Sequence, residues 1–168
     1  MTGLNLEEHF ILEIASVITD DWLEIVAEGP NIAINCPHES LQNMEEWSRN
    51  HHKESGLLDR VKMSPYDCQS AENKTLEFLS KHCKKGSSPL CGNSVWQDRR
   101  FLIKHMPRLE EFLHYRNIDV SSIKELVRRW YPWLLPYQKQ KTHLALNDIR
   151  ESINELKYYR QEVFLPKK

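Results

Sequence analysis

Pro89-Leu90-Cys91-Gly92-Asn93-Ser94-Val95-Trp96-Gln97-Asp98 decides how the chain folds. The apolar run over 89–93 suits a brief buried strand, Gly-Asn-Ser turns the chain, and Asp98 opens the next helix. A strand that feeds a helix within so few residues is the unit of an α/β domain. A second stretch, Thr142-His143-Leu144-Ala145-Leu146-Asn147-Asp148, sets a histidine and a carboxylate five residues apart at the mouth of another helix.

Outward from these, the same periodicity rules place the other elements. Residues 10–18, 23–27 and 32–34 are rich in Ile, Leu and Val and suit strands, with a turn at Asp20-Asp21 and a kink at Gly29-Pro30. Helical spacing predicts helices over 40–52, 57–63, 70–84, 98–113, 123–130 and 145–163. Ser40 and Ser121-Ser122 are the expected N-caps. Residues 114–120 read as one more strand. The expected fold is therefore α/β: a mixed sheet with helices packed on it.

With 168 residues the chain is long enough for one domain with a real core. No stretch reaches the roughly 20 apolar residues of a membrane span. Glu7 and Glu8 stand where a signal peptide would be basic and then apolar, so a cytoplasmic protein is expected. The four cysteines form no C-x-x-C pair and read as reduced thiols. A net charge of -1 argues against a broad face for long nucleic acid, but not against a small pocket for a short charged ligand. Neither a glycine-rich phosphate loop nor a Gly-x-Ser-x-Gly elbow is present.

Asp98 precedes Phe101 and Leu102 by three and four residues and shares their face. A carboxylate on an apolar face needs a partner, and a metal ion can supply one. A carboxylate stabilised in the first helical turn by the dipole is the other reading. His143 and Asp148 would lie about 140° apart on a regular helix, and converge better if His143 belongs to the preceding loop. Carboxylates, a divalent ion and a histidine titrating near neutrality are the parts of metal-dependent phosphodiester hydrolysis.

A set of motifs spread along the chain narrows the choice. It comprises Met1-Thr2-Gly3-Leu4, Ala27-Glu28-Gly29-Pro30, Ser55-Gly56-Leu57 and Pro89-Leu90-Cys91-Gly92-Asn93-Ser94. It continues through Gln97-Asp98-Arg99-Arg100-Phe101-Leu102, His114-Tyr115-Arg116, Asp119-Val120-Ser121 and Lys124-Glu125-Leu126 to His143-x-Ala145-x-x-Asp148-Ile149-x-x-Ser152. In this order they resemble the oligoribonucleases, in the histidine-containing branch of the DEDD exonuclease superfamily. The resemblance implies a ribonuclease-H-like mixed sheet flanked by helices, and a homodimer. It implies a 3′-to-5′ exoribonuclease that degrades very short RNA, down to dinucleotides, with two Mg²⁺ or Mn²⁺ ions.

By matching position, Asp98 and Asp148 would be metal ligands and His143 the general base. Tyr115 would be an active-site tyrosine reaching the partner subunit's site. Leu4 and Trp47 would pack against the two bases. Ser94, with Arg116 and Ser121 from the partner, would hold the terminal phosphate, and His52 would lie close by. Without the resemblance, Tyr115 and Arg116 read as structural residues beside a strand, and Trp47 as a core or interface residue.

One family feature is not found. In the family a strand carrying Asp-x-Glu stands directly before Met-Thr-Gly-Leu, which here is residues 1–4. The expectation is a single exonuclease domain over 1–168 that is N-terminally incomplete, without its first, central strand and two of its four carboxylates. The alternative is a catalytically impaired homologue that only dimerises or binds short nucleotides. A DNA-trimming exonuclease of the same superfamily is a third reading, and His114-Tyr115-Arg116 speaks against it.

Overall fold

Ile11 and Leu12 are adjacent in sequence yet enter different hydrophobic clusters, as alternation along an extended chain requires. The computed structural model describes residues 1–139 and 144–164. Strand β1 (Glu13–Ile14) pairs antiparallel with β4 (Ile32–Ala33), and β2 (Val17–Thr19) pairs antiparallel with β3 (Ile25–Glu28). Ile11, Ile32 and Ile34 join the larger core with Phe101, Leu102, Met106 and Leu109. Leu12 and Ala33 turn to the other side and meet Met44, Leu57 and Val61.

The single strand expected over 10–18 is thus two short ones. Between them the Ser16 carbonyl accepts the Gly29 N–H at 2.8 Å, and the β2–β3 register shifts at Ile18/Thr19. The turn expected at Asp20-Asp21 is present. Asp20 Oδ1 accepts the N–H groups of both Trp22 and Glu24 at 2.9 Å, which holds Leu23 at φ 68.

The helix expected over 40–52 is two: α1 (His38–Gln42) and α2 (Glu46–Glu54). Glu45 interrupts them with extended backbone, and its N–H donates to the Thr2 carbonyl at 3.0 Å instead of continuing a helix. Ser40 is buried within α1 and does not cap it; Pro37 holds the cap position. Next come α3 (Leu57–Met63) and α4 (Cys68–His82). α4 starts two residues earlier than the spacing suggests, because Asp67 caps it by accepting the Ser70 N–H at 2.8 Å.

Strands β5 (Pro89–Gly92) and β6 (His114–Asp119) pair in parallel, joined by α5 (Val95–His105) and α6 (Pro107–Phe112). A parallel pair needs such a crossover. The helix expected over 98–113 breaks at Met106, before Pro107, which has no N–H to donate. Phe101, Leu102 and Leu109 are buried as their spacing indicates. α7 (Val120–Trp130) is capped by Asp119 rather than by Ser121-Ser122. α8 (Ala145–Tyr159) runs into a π-helical turn, Arg160–Phe164. Tyr159 packs with Val120 and Val127 in a third, smaller core.

The α8 face away from its aliphatic stripe reads as charged and solvated in the sequence, but Glu155 is completely buried. The architecture is mixed α/β, as expected, with one parallel and two antiparallel strand pairs among the described residues. No helix among them is long and apolar enough to cross a membrane.

Candidate active site

Ser94 adopts a left-handed backbone at φ 51, the turn between β5 and α5. For a residue other than glycine this costs about 1–3 kcal/mol and persists where the surroundings over-determine it. Here they do. The Ser94 N–H donates to Asp119 Oδ1 and to Ser121 Oγ, both at 2.9 Å. Asp119 Oδ1 also accepts the Ser121 N–H at 3.0 Å, so one carboxylate caps α7 and fastens the Gly-Asn-Ser turn.

The Ser94 and Ser121 hydroxyls meet at 3.2 Å. The resemblance assigns these two serines to opposite protomers, whereas the fold brings them together within one chain.

Asn93 anchors the same turn from the other side. Its amide nitrogen donates to Glu155 Oε2 at 2.9 Å. Its oxygen accepts from Lys139 Nζ and from Ser152 Oγ, both at 2.6 Å. Glu155 in turn receives Lys139 Nζ at 2.7 Å, Lys124 Nζ at 3.7 Å and the Tyr159 hydroxyl at 3.1 Å. Burial pushes the Glu155 carboxyl up, but Lys139, Asn93 and Lys124 together outweigh it and hold it below the ordinary carboxylate value.

Asp98 follows this turn in the first turn of α5. It is exposed by surface area, yet surrounding atoms strip enough water from it that desolvation pushes its carboxyl up. The nearby Asp119 charge adds to that rise. A bound cation would favour the charged form of such a group.

Asp148 lies in the first turn of α8, donating its N–H to the Leu144 carbonyl at 2.9 Å. His143 falls outside the described residues. What fixes the start of α8 is Glu13 on β1. Its Oε2 accepts the Ala145 N–H at 2.9 Å, while Oε1 holds Arg60 Nη1 at 2.6 Å. Glu13 is an acid inside an apolar strand run, and that contrast was the signal available in the sequence. Glu155 and Lys139 carried no comparable signal.

His52 lies within electrostatic reach of Glu13. His52 Nε2 is 2.9 Å from the Met1 carbonyl. Burial lowers the His52 pKa, and its Nδ1 is buried with no hydrogen-bond partner among the described residues.

Leu4 and Trp47 are both exposed, at 49% and 61%. The Trp47 ring is 4.0 Å from that of His51. Tyr115 and Arg116 lie on β6, where Tyr115 is 71% exposed. The Tyr115 ring stacks on His114 at 4.4 Å, and the Arg116 guanidinium sits 5.3 Å over the Tyr115 ring. These contacts run along β6 itself and face outward.

The donor set for a metal is partial. Among the described residues no three His, Cys, Asp or Glu side chains converge on one point. Asp98 and Asp148 are two carboxylates, and two do not complete a site for two divalent ions.

Comparison with known proteins gives a consistent set of relatives. The exonuclease family RNase_T matches residues 1–156. The oligoribonuclease of Aliivibrio fischeri is 59% identical over 165 residues, covering 98% of this chain and 91% of the relative. That of Vibrio campbellii is 58% identical over the same shares. That of Hydrogenovibrio crunogenus is 54% identical over 167 residues, covering 99% of this chain and 91% of the relative.

Proposed function

Because this chain belongs to the exonuclease family and, within it, to the oligoribonucleases, we propose that it hydrolyses very short RNA from the 3′ end, down to dinucleotides. The fold is of the family's ribonuclease-H-like, mixed α/β kind. The observation that carries the substrate reading is the pair of exposed apolar side chains Leu4 and Trp47. They project from segments fastened to each other by the Glu45 N–H on the Thr2 carbonyl at 3.0 Å. Two such groups give two bases an apolar surface each, and stacking of a base on an aromatic ring such as that of Trp47 is worth about 1–3 kcal/mol.

Ser94 and Ser121 supply hydroxyls to the terminal phosphate, and Arg116 of a second protomer supplies the charge. His52 lies close to the same end. A pocket that holds the phosphate at one end and two bases at the other admits little more than a dinucleotide. It needs no basic surface, in keeping with the net charge of -1.

In the reaction, water attacks the phosphorus, the P–O bond to the leaving 3′ oxygen breaks, and a nucleotide with a 5′ phosphate departs. His143 takes the proton from the attacking water. Tyr115, reaching across from the partner subunit, orients the scissile phosphate. Asp98 and Asp148 would be two of the ligands of divalent ions, Mg²⁺ or Mn²⁺, and such ions would supply electrostatic stabilisation of the charge that develops on the phosphate.

A homodimer brings Tyr115 and Arg116 to a neighbouring site. Its support is the exposed apolar group Tyr115, Ile118, Leu126, Trp130, Trp133 and Leu135 on and after β6. The protein is cytoplasmic in this reading.

The test is mononucleotide release from a 5′-phosphorylated diribonucleotide with Mn²⁺ or Mg²⁺, beside a long RNA and a long DNA. The expected result is cleavage of the dinucleotide first, abolished by EDTA, from a particle of twice 20.0 kDa in sedimentation. Binding without release would favour the homologue that only binds or dimerises. Preferential trimming of long DNA would favour a DNA exonuclease.

A further inference from the structure

We propose that Glu45 is a positioning residue that sets the spacing between Leu4 and Trp47, and thereby makes the site select two bases over one. The inference rests on the reading that Leu4 and Trp47 face the bases. Glu45 itself belongs to neither surface.

Glu45 stands at the cap position of α2, two residues before Trp47. Its backbone N–H donates to the Thr2 carbonyl at 3.0 Å, and its Oε1 accepts the Leu4 N–H at 3.2 Å. One residue therefore grips the Leu4 loop twice and begins the helix that carries Trp47. Its carbonyl accepts the Arg49 N–H at 2.9 Å, so the grip continues into the first helical turn.

The loop is also held from its other side. His9 is buried, its Nδ1 accepts the Asn5 N–H at 2.9 Å, and that nitrogen is 3.8 Å from Glu45 Oε1. Thr2 is fully buried, with its N–H on the Phe10 carbonyl and its hydroxyl accepting the Phe10 N–H, both at 2.9 Å. Gly3 fits between the two flanking side chains. A Cβ there would fall 2.3 Å from His9 Cε1 and 2.7 Å from Glu45 Cδ. Only a residue without a side chain lets the loop close this far onto Glu45 and His9.

The chemistry separates two properties. A mononucleotide offers one base, so it can stack on one of the two surfaces wherever the other lies. A dinucleotide needs both at a fixed spacing. Loosening the Leu4 loop therefore weakens the second contact and leaves the first nearly intact.

Titration calorimetry in EDTA, which prevents turnover, reads this directly with adenosine 5′-monophosphate and 5′-phosphorylated diadenylate. Glu45→Ala is expected to weaken the dinucleotide about five- to tenfold, the order of one lost solvent-exposed hydrogen bond of ordinary strength. The mononucleotide affinity should change less than about twofold. Glu45→Gln keeps an acceptor oxygen for the Leu4 N–H and should bind both like wild type. Thermal melting confirms that each variant folds.

The inference is overturned if Glu45→Ala keeps its dinucleotide affinity, if both ligands weaken in equal proportion, or if Glu45→Gln behaves like Glu45→Ala. A wild-type protein that binds no dinucleotide would overturn the functional reading itself, and this inference with it.

Discussion

Glu155→Ala is expected to destabilise the fold by about 3–5 kcal/mol, the cost of removing one partner of a buried charge pair. The carboxylate is completely inaccessible and accepts from Lys139, Asn93 and Tyr159. Removing it leaves the Lys139 ammonium, 28% exposed, without its counter-charge and leaves Asn93 short of an acceptor. Glu155→Gln should cost less, because an amide oxygen still accepts. Urea unfolding with an unchanged slope would measure the difference; a loss below about 1 kcal/mol would show that the pair behaves as a solvated one.

The same group sets an acid limit. Its folded pKa is depressed, so its contribution is fully present above the unfolded carboxylate value of about 4.3 and is lost as pH falls through the folded value. Glu155→Ala should therefore flatten the stability profile in that acid window. Wild type and variant losing stability in parallel there would sink this assignment.

His143→Ala is expected to lower kcat on a dinucleotide by about 10²–10⁴-fold, the usual share of a general base. Binding should be little changed, since His143 is assigned to the water and not to the bases or the phosphate. A base must be unprotonated to act, so the wild-type rate should rise with pH through the histidine pKa. The variant should lose that limb. A kcat within tenfold of wild type, or an unchanged pH profile, would remove His143 from the role.

The sequence makes the helices legible because their periodicity is long and their cores are aliphatic. Phe101, Leu102 and Leu109 are buried where the spacing puts them. Interruptions are less legible. The break before α2 comes from a backbone bond between Glu45 and Thr2, far apart in sequence, which no local propensity reports. The split of the first strand has the same origin, in the Ser16–Gly29 bond.

At the site, Asp98, Asp148 and the serines are recognisable as motif residues. The polar groups that hold them are not: Glu13 meets Ala145 132 residues on, Glu155 meets Asn93 62 residues back, Lys139 meets Asn93 46 residues back, and Glu155 is buried against what its charge suggests. The meeting of Ser94 with Ser121 inside one chain likewise depends on Asp119 serving two turns at once.

The attachment of α8 has a consequence for the order in which the site assembles. Its links to the N-terminal strands and the β2–β3 turn are polar and span the chain: Ala145 to Glu13, Arg150 to Glu28, and Lys157 to Glu24. Its apolar seat is the smallest of the three cores. Contacts between residues more than 120 apart close late, after the intervening chain is ordered. Asp148 would then be among the last groups put in place during folding, and among the first released by local opening. Native-state hydrogen exchange should show residues 145–164 opening at lower free energy than α5, and more readily at high salt; equal protection of the two helices would contradict this.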